Sequence, residues 1–123
     1  MRKILIILLL FSNLIVSATN YYVATPASGG SDANPGTFAQ PWGSWNYAFN
    51  STAVQPGDTV FIRGGVYYTT VVTGQGIGMT RNGTADNWIV YINYPGEKPI
   101  MDFGNITADD ILNPGLRNDG IST

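Results

Sequence analysis

Apolar and polar positions alternate in short bursts along this chain, and turn-forming residues separate the bursts at close intervals. Asn20-Tyr21-Tyr22-Val23-Ala24 is a β-prone run stopped by Pro26. Thr59-Val60-Phe61-Ile62-Arg63 follows the turn Gln55-Pro56-Gly57-Asp58 and ends at Gly64-Gly65, after which Val66 to Val72 starts a further strand at once. Trp88-Ile89-Val90-Tyr91-Ile92-Asn93-Tyr94 has the strongest strand character. Pro95-Gly96-Glu97-Lys98 turns it, and Pro99 to Phe103 makes one more short strand.

One segment departs from this rhythm. From Trp42 to Ser51 the apolar residues Trp42, Trp45, Ala48 and Phe49 fall on the stripe of a short amphipathic helix, with Ser44 placed as its N-cap and Pro56-Gly57 beyond its end. Residues 28–41 read SGGSDANPGTFAQP and predict a loop of successive turns, with Gly36 among the turn residues. Gly74, Gly76 and Gly78 mark an irregular stretch that leads into the polar turn 81–86. Beyond Gly104 no period is visible.

The first 18 residues have a different character. Met1-Arg2-Lys3 is a short basic region, Ile4 to Val16 is apolar apart from Ser12 and Asn13, and Val16-Ser17-Ala18 carries compact residues suited to signal-peptidase cleavage after Ala18. A retained anchor is the weaker alternative, because the apolar stretch falls short of the roughly 20 residues that span a bilayer. An exported product is expected, secreted or held at the cell surface or in the periplasm. It would carry four basic and eight acidic groups, a net charge of −4. Its apolar residues include 7 Val, 8 Ile and 14 aromatics but only Leu112 and Leu116 as leucines, which favours strands.

Composition also removes whole classes of chemistry. With 0 His and 0 Cys there is no Ser-His-Asp or Cys-His nucleophile, no imidazole or thiolate zinc site and no disulfide framework. The acidic balance argues against nucleic-acid binding, which needs a basic surface to displace phosphate counterions.

The succession YYVA, GSDANPGT, a Trp-bearing helix, PGDTVFIRGGVYY and GTADNWIVYINYPGEKPIMD resembles the start of a right-handed parallel β-helix. It is similar to the N-terminal cap and first coils of secreted pectate-lyase-like proteins, family nine polysaccharide lyases among them. An all-β chain follows, with one short capping α-helix whose Trp42, Trp45 and Phe49 face covers the open end of the first coil. Pro56, Gly57 and Asp58 would return the chain into a coil, and Gly64 and Gly65 would allow a sharp corner between its faces. The alternative is a small antiparallel β-sandwich, since short strands with glycine turns suit both. The expected organisation is a signal peptide over 1–18, cap and opening coils over 19–103, and an irregular tail over 104–123 of a polypeptide that continues past Thr123 into further coils.

The resemblance implies β-elimination on acidic, pectin-type polysaccharide in the complete protein, with calcium held by Asp and Glu and a basic Lys or Arg taking the proton. No segment here matches those functional residues, so no catalytic residue and no cofactor is assigned to this chain. Its carboxylates have a structural alternative. Asp58 suits bonding to nearby amides, and Asp109-Asp110 suits a solvated turn. Asp32 lies in a loop that could wrap a cation but lacks the spacing of a calcium loop. Lys98, the one Lys after the signal segment, suits a solvated turn. Among the aromatics, Trp42, Trp45 and Trp88 are expected in the core, and Tyr67 and Tyr68 are the candidates for stacking on sugar, being adjacent in a strand and so on opposite faces. Asn50, Asn82 and Asn105 begin sequons that matter only where the export route glycosylates. Two other roles stay open: a carbohydrate-binding or adhesion module without catalysis, and a purely structural cap.

Overall fold

The computed structural model describes residues 17–68 and 78–104. Two parallel sheets form the body of the chain. The first holds β1 (Asn20–Val23), β2 (Thr59–Ile62) and β4 (Val90–Asn93) in the order β1-β2-β4, and the second holds β3 (Gly65–Tyr68) beside β5 (Pro99–Asp102). Every strand pair is parallel, which excludes the antiparallel sandwich. The chain passes from β2 to β3 through Arg63-Gly64 and from β4 to β5 through Tyr94 to Lys98, so successive coils turn at the same corner, one stacked on the other. This is the stacked-coil architecture of a parallel β-helix.

Register explains why alternation is visible in the sequence. Tyr21, Val60 and Tyr91 align across the first sheet, as do Val23, Ile62 and Asn93; these positions face inward except Asn93, which is exposed and bonds to the turn after β4. Val23, Val60 and Ile62 are buried, and they form the core with Trp42, Ala48, Val54 and Tyr67. Between them runs the outward column Tyr22, Phe61 and Ile92.

The helix α1 spans Trp45–Asn50, so it begins later than the apolar stripe suggested. Ser44 is its N-cap, and its side chain accepts a hydrogen bond from the Tyr47 N–H at 3.1 Å. Trp42 lies outside the helix. It forms a parallel bridge with Val23, donating to the Tyr22 carbonyl and accepting from the Ala24 N–H, each at 2.9 Å. Gly36 adds a further bond, its carbonyl accepting from the Tyr22 N–H at 2.8 Å, so the loop satisfies the edge of β1 that would otherwise be open.

This corrects the expected capping face. Trp42 protects β1 from the loop, while α1 sends Trp45 toward Tyr67 and Phe49 toward Tyr91, with ring centroids 5.4 and 4.9 Å apart. The helix therefore packs on inward rings of the second and third coils, as well as following the first.

Two glycines are required by geometry. Gly36 has φ +84°, and a Cβ there would lie 2.5 Å from the Trp42 indole, which is 1% exposed and stacked on Tyr21. Gly65 has φ +134° at the corner into β3, where a Cβ would come within 2.7 Å of the Thr25 methyl group.

Candidate functional site

The outward side of the first sheet carries the densest group of part-exposed aromatics among the described residues. Tyr22 and Phe61, one coil apart, are stacked with centroids 5.5 Å apart. Tyr94, at the corner after β4, meets Phe61 edge-on at 5.9 Å and Tyr22 at 6.2 Å. Phe38 reaches in from the long loop, edge-on to Tyr22 at 5.3 Å. It is half exposed. The group thus joins β1, β2 and the corner after β4 to the loop that covers β1.

Arg63 completes this surface. Its guanidinium lies 4.8 Å from the centre of Phe38 and 4.9 Å from that of Tyr94, so the cation rests on two ring faces. Its Nε donates to both Glu97 carboxylate oxygens at 2.9 Å, and a terminal nitrogen forms an ion pair with Oε1 at 2.8 Å. The Gly64 N–H also donates to Glu97 Oε2, at 2.6 Å. Glu97 therefore ties the corner of one coil to the corner beneath it. The Arg63 hydrogen bonds, followed by the Gly64 N–H, hold the Glu97 carboxyl below its ordinary pKa. In return, hydrogen bonding to Glu97 raises Arg63 further above its already high value. The arrangement offers a rigid amphipathic surface. Both charged groups are matched to each other, so neither is poised as an acid or base.

The structure distributes the other candidates differently. Tyr67 points inward, 7% exposed, and its hydroxyl donates to the carbonyls of Arg63 at 2.7 Å and Val23 at 3.3 Å. It is a core residue and cannot stack on sugar. Burial raises its phenol pKa to about 12. Tyr68 takes the opposite face and is 66% exposed. Trp88 corrects another expectation: it lies on the surface, 73% exposed, whereas Trp42 and Trp45 pack inside or against the core.

Asp32 is engaged as a backbone cap. One carboxylate oxygen accepts from the Gly43 and Ser44 N–H groups at 2.9 Å each, and the other from the Ser44 hydroxyl at 2.7 Å. Those bonds fix the entry into α1 and use the oxygens a cation would need. Asp58 is buried, accepting from Thr19 N–H at 2.8 Å and Gln55 N–H at 2.7 Å, and so pins the Pro56-Gly57 turn. Lys98 is exposed in its turn, and its carbonyl accepts from the Gly65 N–H. Among the described residues no three carboxylates gather as a metal site would require. Asp109 and Asp110 lie outside the described residues, as do residues 1–16 with most of the expected signal segment.

Alternation and composition did not reveal the Arg63 to Glu97 clasp. The available signal was the outward parity of Phe61 and Arg63 in one strand and of Ile92 and Tyr94 in another, which places an arginine beside aromatics once the coils are stacked.

Parallel coils, with a loop hydrogen-bonded along the edge of β1, define a β-helix protein. The chain belongs to the Pel9A-like family: the model of the Pel9A-like, right handed beta helix region matches residues 21–122. No curated protein matches the sequence. Among solved structures, a rhamnogalacturonan lyase is similar with a TM-score of 0.60 and 27% identity, over 76% of this chain and 24% of its own. The complex of XylC with xylose gives a TM-score of 0.50 and 30% identity, over 65% of this chain and 11% of the other. A glycoside hydrolase, 21% identical with a TM-score of 0.50, shares the fold over 69% of this chain and 15% of its own. The chain spans between 11% and 24% of the length of these structures.

Proposed function

We propose that this chain supplies the cap and opening coils of an exported β-helix protein that acts on polysaccharide, and that the complete protein cleaves acidic, pectin-type polymer by β-elimination. The observation that carries the reading is the family match over residues 21–122 together with the register of coils that the match requires. Similarity to a rhamnogalacturonan lyase supports a uronate-containing substrate. Within that protein the described residues are scaffold. They seal β1 and clasp successive corners, and the chemistry belongs to further coils of the longer polypeptide.

Calcium would be bound elsewhere in the complete protein. The described residues do not fit it, because Asp32 and Asp58 already accept backbone hydrogen bonds and no group of three or more carboxylates forms among the described residues. No step through a metal is assigned to them.

The test compares the complete protein with the 123-residue chain on polygalacturonate and on rhamnogalacturonan, with calcium and with chelator. Calcium-dependent release of unsaturated uronates by the complete protein alone is the expected result. Saturated products would replace elimination by hydrolysis, and activity of the short chain would overturn its assignment as scaffold. N-terminal sequencing of exported material should begin at Thr19. A non-catalytic carbohydrate-binding role is the second reading, favoured by the exposed rings of Tyr68 and Trp88.

A further inference from the structure

We infer that Trp88 is a carbohydrate-stacking platform on the side wall of the β-helix, shaped for the apolar C–H face of a pyranose ring. The inference rests on the reading of the protein as one that handles carbohydrate, and it locates a contact that the scaffold role leaves unexplained.

Direction comes first. Trp88 stands two residues before Val90, on the side of the chain that continues into the outward positions Val90 and Ile92, while Ile89 and Tyr91 pack against the core. Coils of a β-helix stack along the axis, so further coils extend the side wall without burying it. An exposed ring there is a surface feature of the assembled stack.

The indole is also presented in one orientation. Its Nε1–H donates to the Ala85 carbonyl at 3.0 Å, which satisfies the polar edge within the loop and leaves the ring itself as the contact surface. The loop is held by the Thr84 N–H donating to the Asn87 carbonyl at 2.9 Å and the Asn87 N–H donating to the Thr84 hydroxyl at 3.1 Å. The Trp88 carbonyl accepts from the Gly57 N–H of the preceding coil at 3.1 Å. A ring fixed in this way gives up little conformational freedom when a ligand arrives.

Beside the ring lies an open depression of about 360 Å³ lined by Gly83, Thr84, Trp88 and Ile89. A hydroxyl and backbone groups adjoin a single aromatic face, and this mixture matches a sugar, whose hydroxyl rim and C–H face need both. A peptide or lipid partner would call for a broader continuous apolar surface.

Calorimetric titration of the full chain with oligogalacturonide, rhamnogalacturonan oligosaccharide and xylo-oligosaccharide tests the inference. At least one should bind saturably. Trp88→Ala should weaken that binding by about ten-fold or more, and Trp88→Tyr should restore most of it. The melting temperature of both variants should stay near that of the parent, because the ring packs on little. Equal affinity of Trp88→Ala and parent, or no saturable binding of any of the three sugars, would overturn the platform. Uronate release by the complete protein is scored separately. Turnover with sugar binding unchanged by Trp88→Ala removes the platform and leaves the lyase reading. Trp88-dependent binding without turnover does the reverse.

Discussion

The two faces of the first sheet use aromatic residues in different ways. On the inner face each tyrosine hydroxyl reaches a backbone carbonyl: Tyr21 bonds to Ala53, Tyr91 to Ala48, and Tyr67, entering from the second sheet, to Val23 and Arg63. The rings pack on the interior while their polar ends bond to backbone carbonyls, at the surface for Tyr21, part-buried for Tyr91 and buried for the Tyr67 bond to Val23. On the outer face Tyr22, Phe61, Tyr94 and Phe38 depend on one another and on a cation. Residue type alone does not set the role of a tyrosine here. Parity within the strand decides whether it meets the core, and the corner that follows decides which outer partners it finds.

Two isoleucines give the sharpest test of that contrast. Ile62 is 5% exposed in the inner column, and Ile92, in the neighbouring strand, is 46% exposed in the outer one. Ile62→Ala should cost about 2 to 5 kcal/mol, combining lost burial with the cavity left behind. Ile92→Ala should cost less than about 1 kcal/mol. Chemical denaturation of both variants checks the difference, and equal losses would mean that the outer column contributes to the core after all.

Tyr67 provides an intermediate effect with a signature in pH. Its folded-state pKa is raised from 10.0 to about 12, chiefly by burial. A phenol raised in this way contributes stability that is complete below about pH 10 and is lost as pH climbs through about 12. Alkaline unfolding should follow that window. Tyr67→Phe should flatten it, lower neutral-pH stability by about 1 to 2 kcal/mol through loss of the one hydroxyl proton that the Arg63 and Val23 carbonyls share, and remove the latest step of the tyrosinate absorbance titration.

What could be read from the sequence follows the range of the interactions involved. Strand centres and the Ser44 cap were visible because alternation and capping act over a few residues. Trp42 was misplaced onto the helix because its bridge to Val23 depends on a space left by Gly36, which no helical stripe records. Trp88 was hidden for a different reason: Trp88 to Ile92 is apolar at every position, so alternation could not show which side faces the core. Tyr67 and Tyr68 were known to diverge, but only the corner at Gly64-Gly65 determines which one turns inward. The Arg63 to Glu97 clasp joins residues 34 apart, and only stacking of the coils brings them together.

That clasp yields the smallest predicted effect and the one most specific to the outer face. Glu97 lies at the surface, where solvent and salt weaken an ion pair, yet it receives three donors from the coil below: Arg63 Nε, an Arg63 terminal nitrogen and the Gly64 N–H. Those donors depress its pKa from 4.5. A depressed carboxyl contributes stability that is present above its unfolded value and disappears as pH falls through the folded one. The parent should therefore lose part of its stability below about pH 4.5, and Glu97→Gln should show a shallower acid limb with a modest loss at neutral pH. Salt should reduce the difference between the two proteins, since the partners are only partly sheltered. Arg63→Lys separates charge from geometry: lysine keeps the cation but loses the planar fork that lies between Phe38 and Tyr94. If Arg63→Lys melts like the parent at every pH, the corner is held by charge alone. If it behaves like Glu97→Gln, the stacked guanidinium is what joins the aromatic face to the coil above.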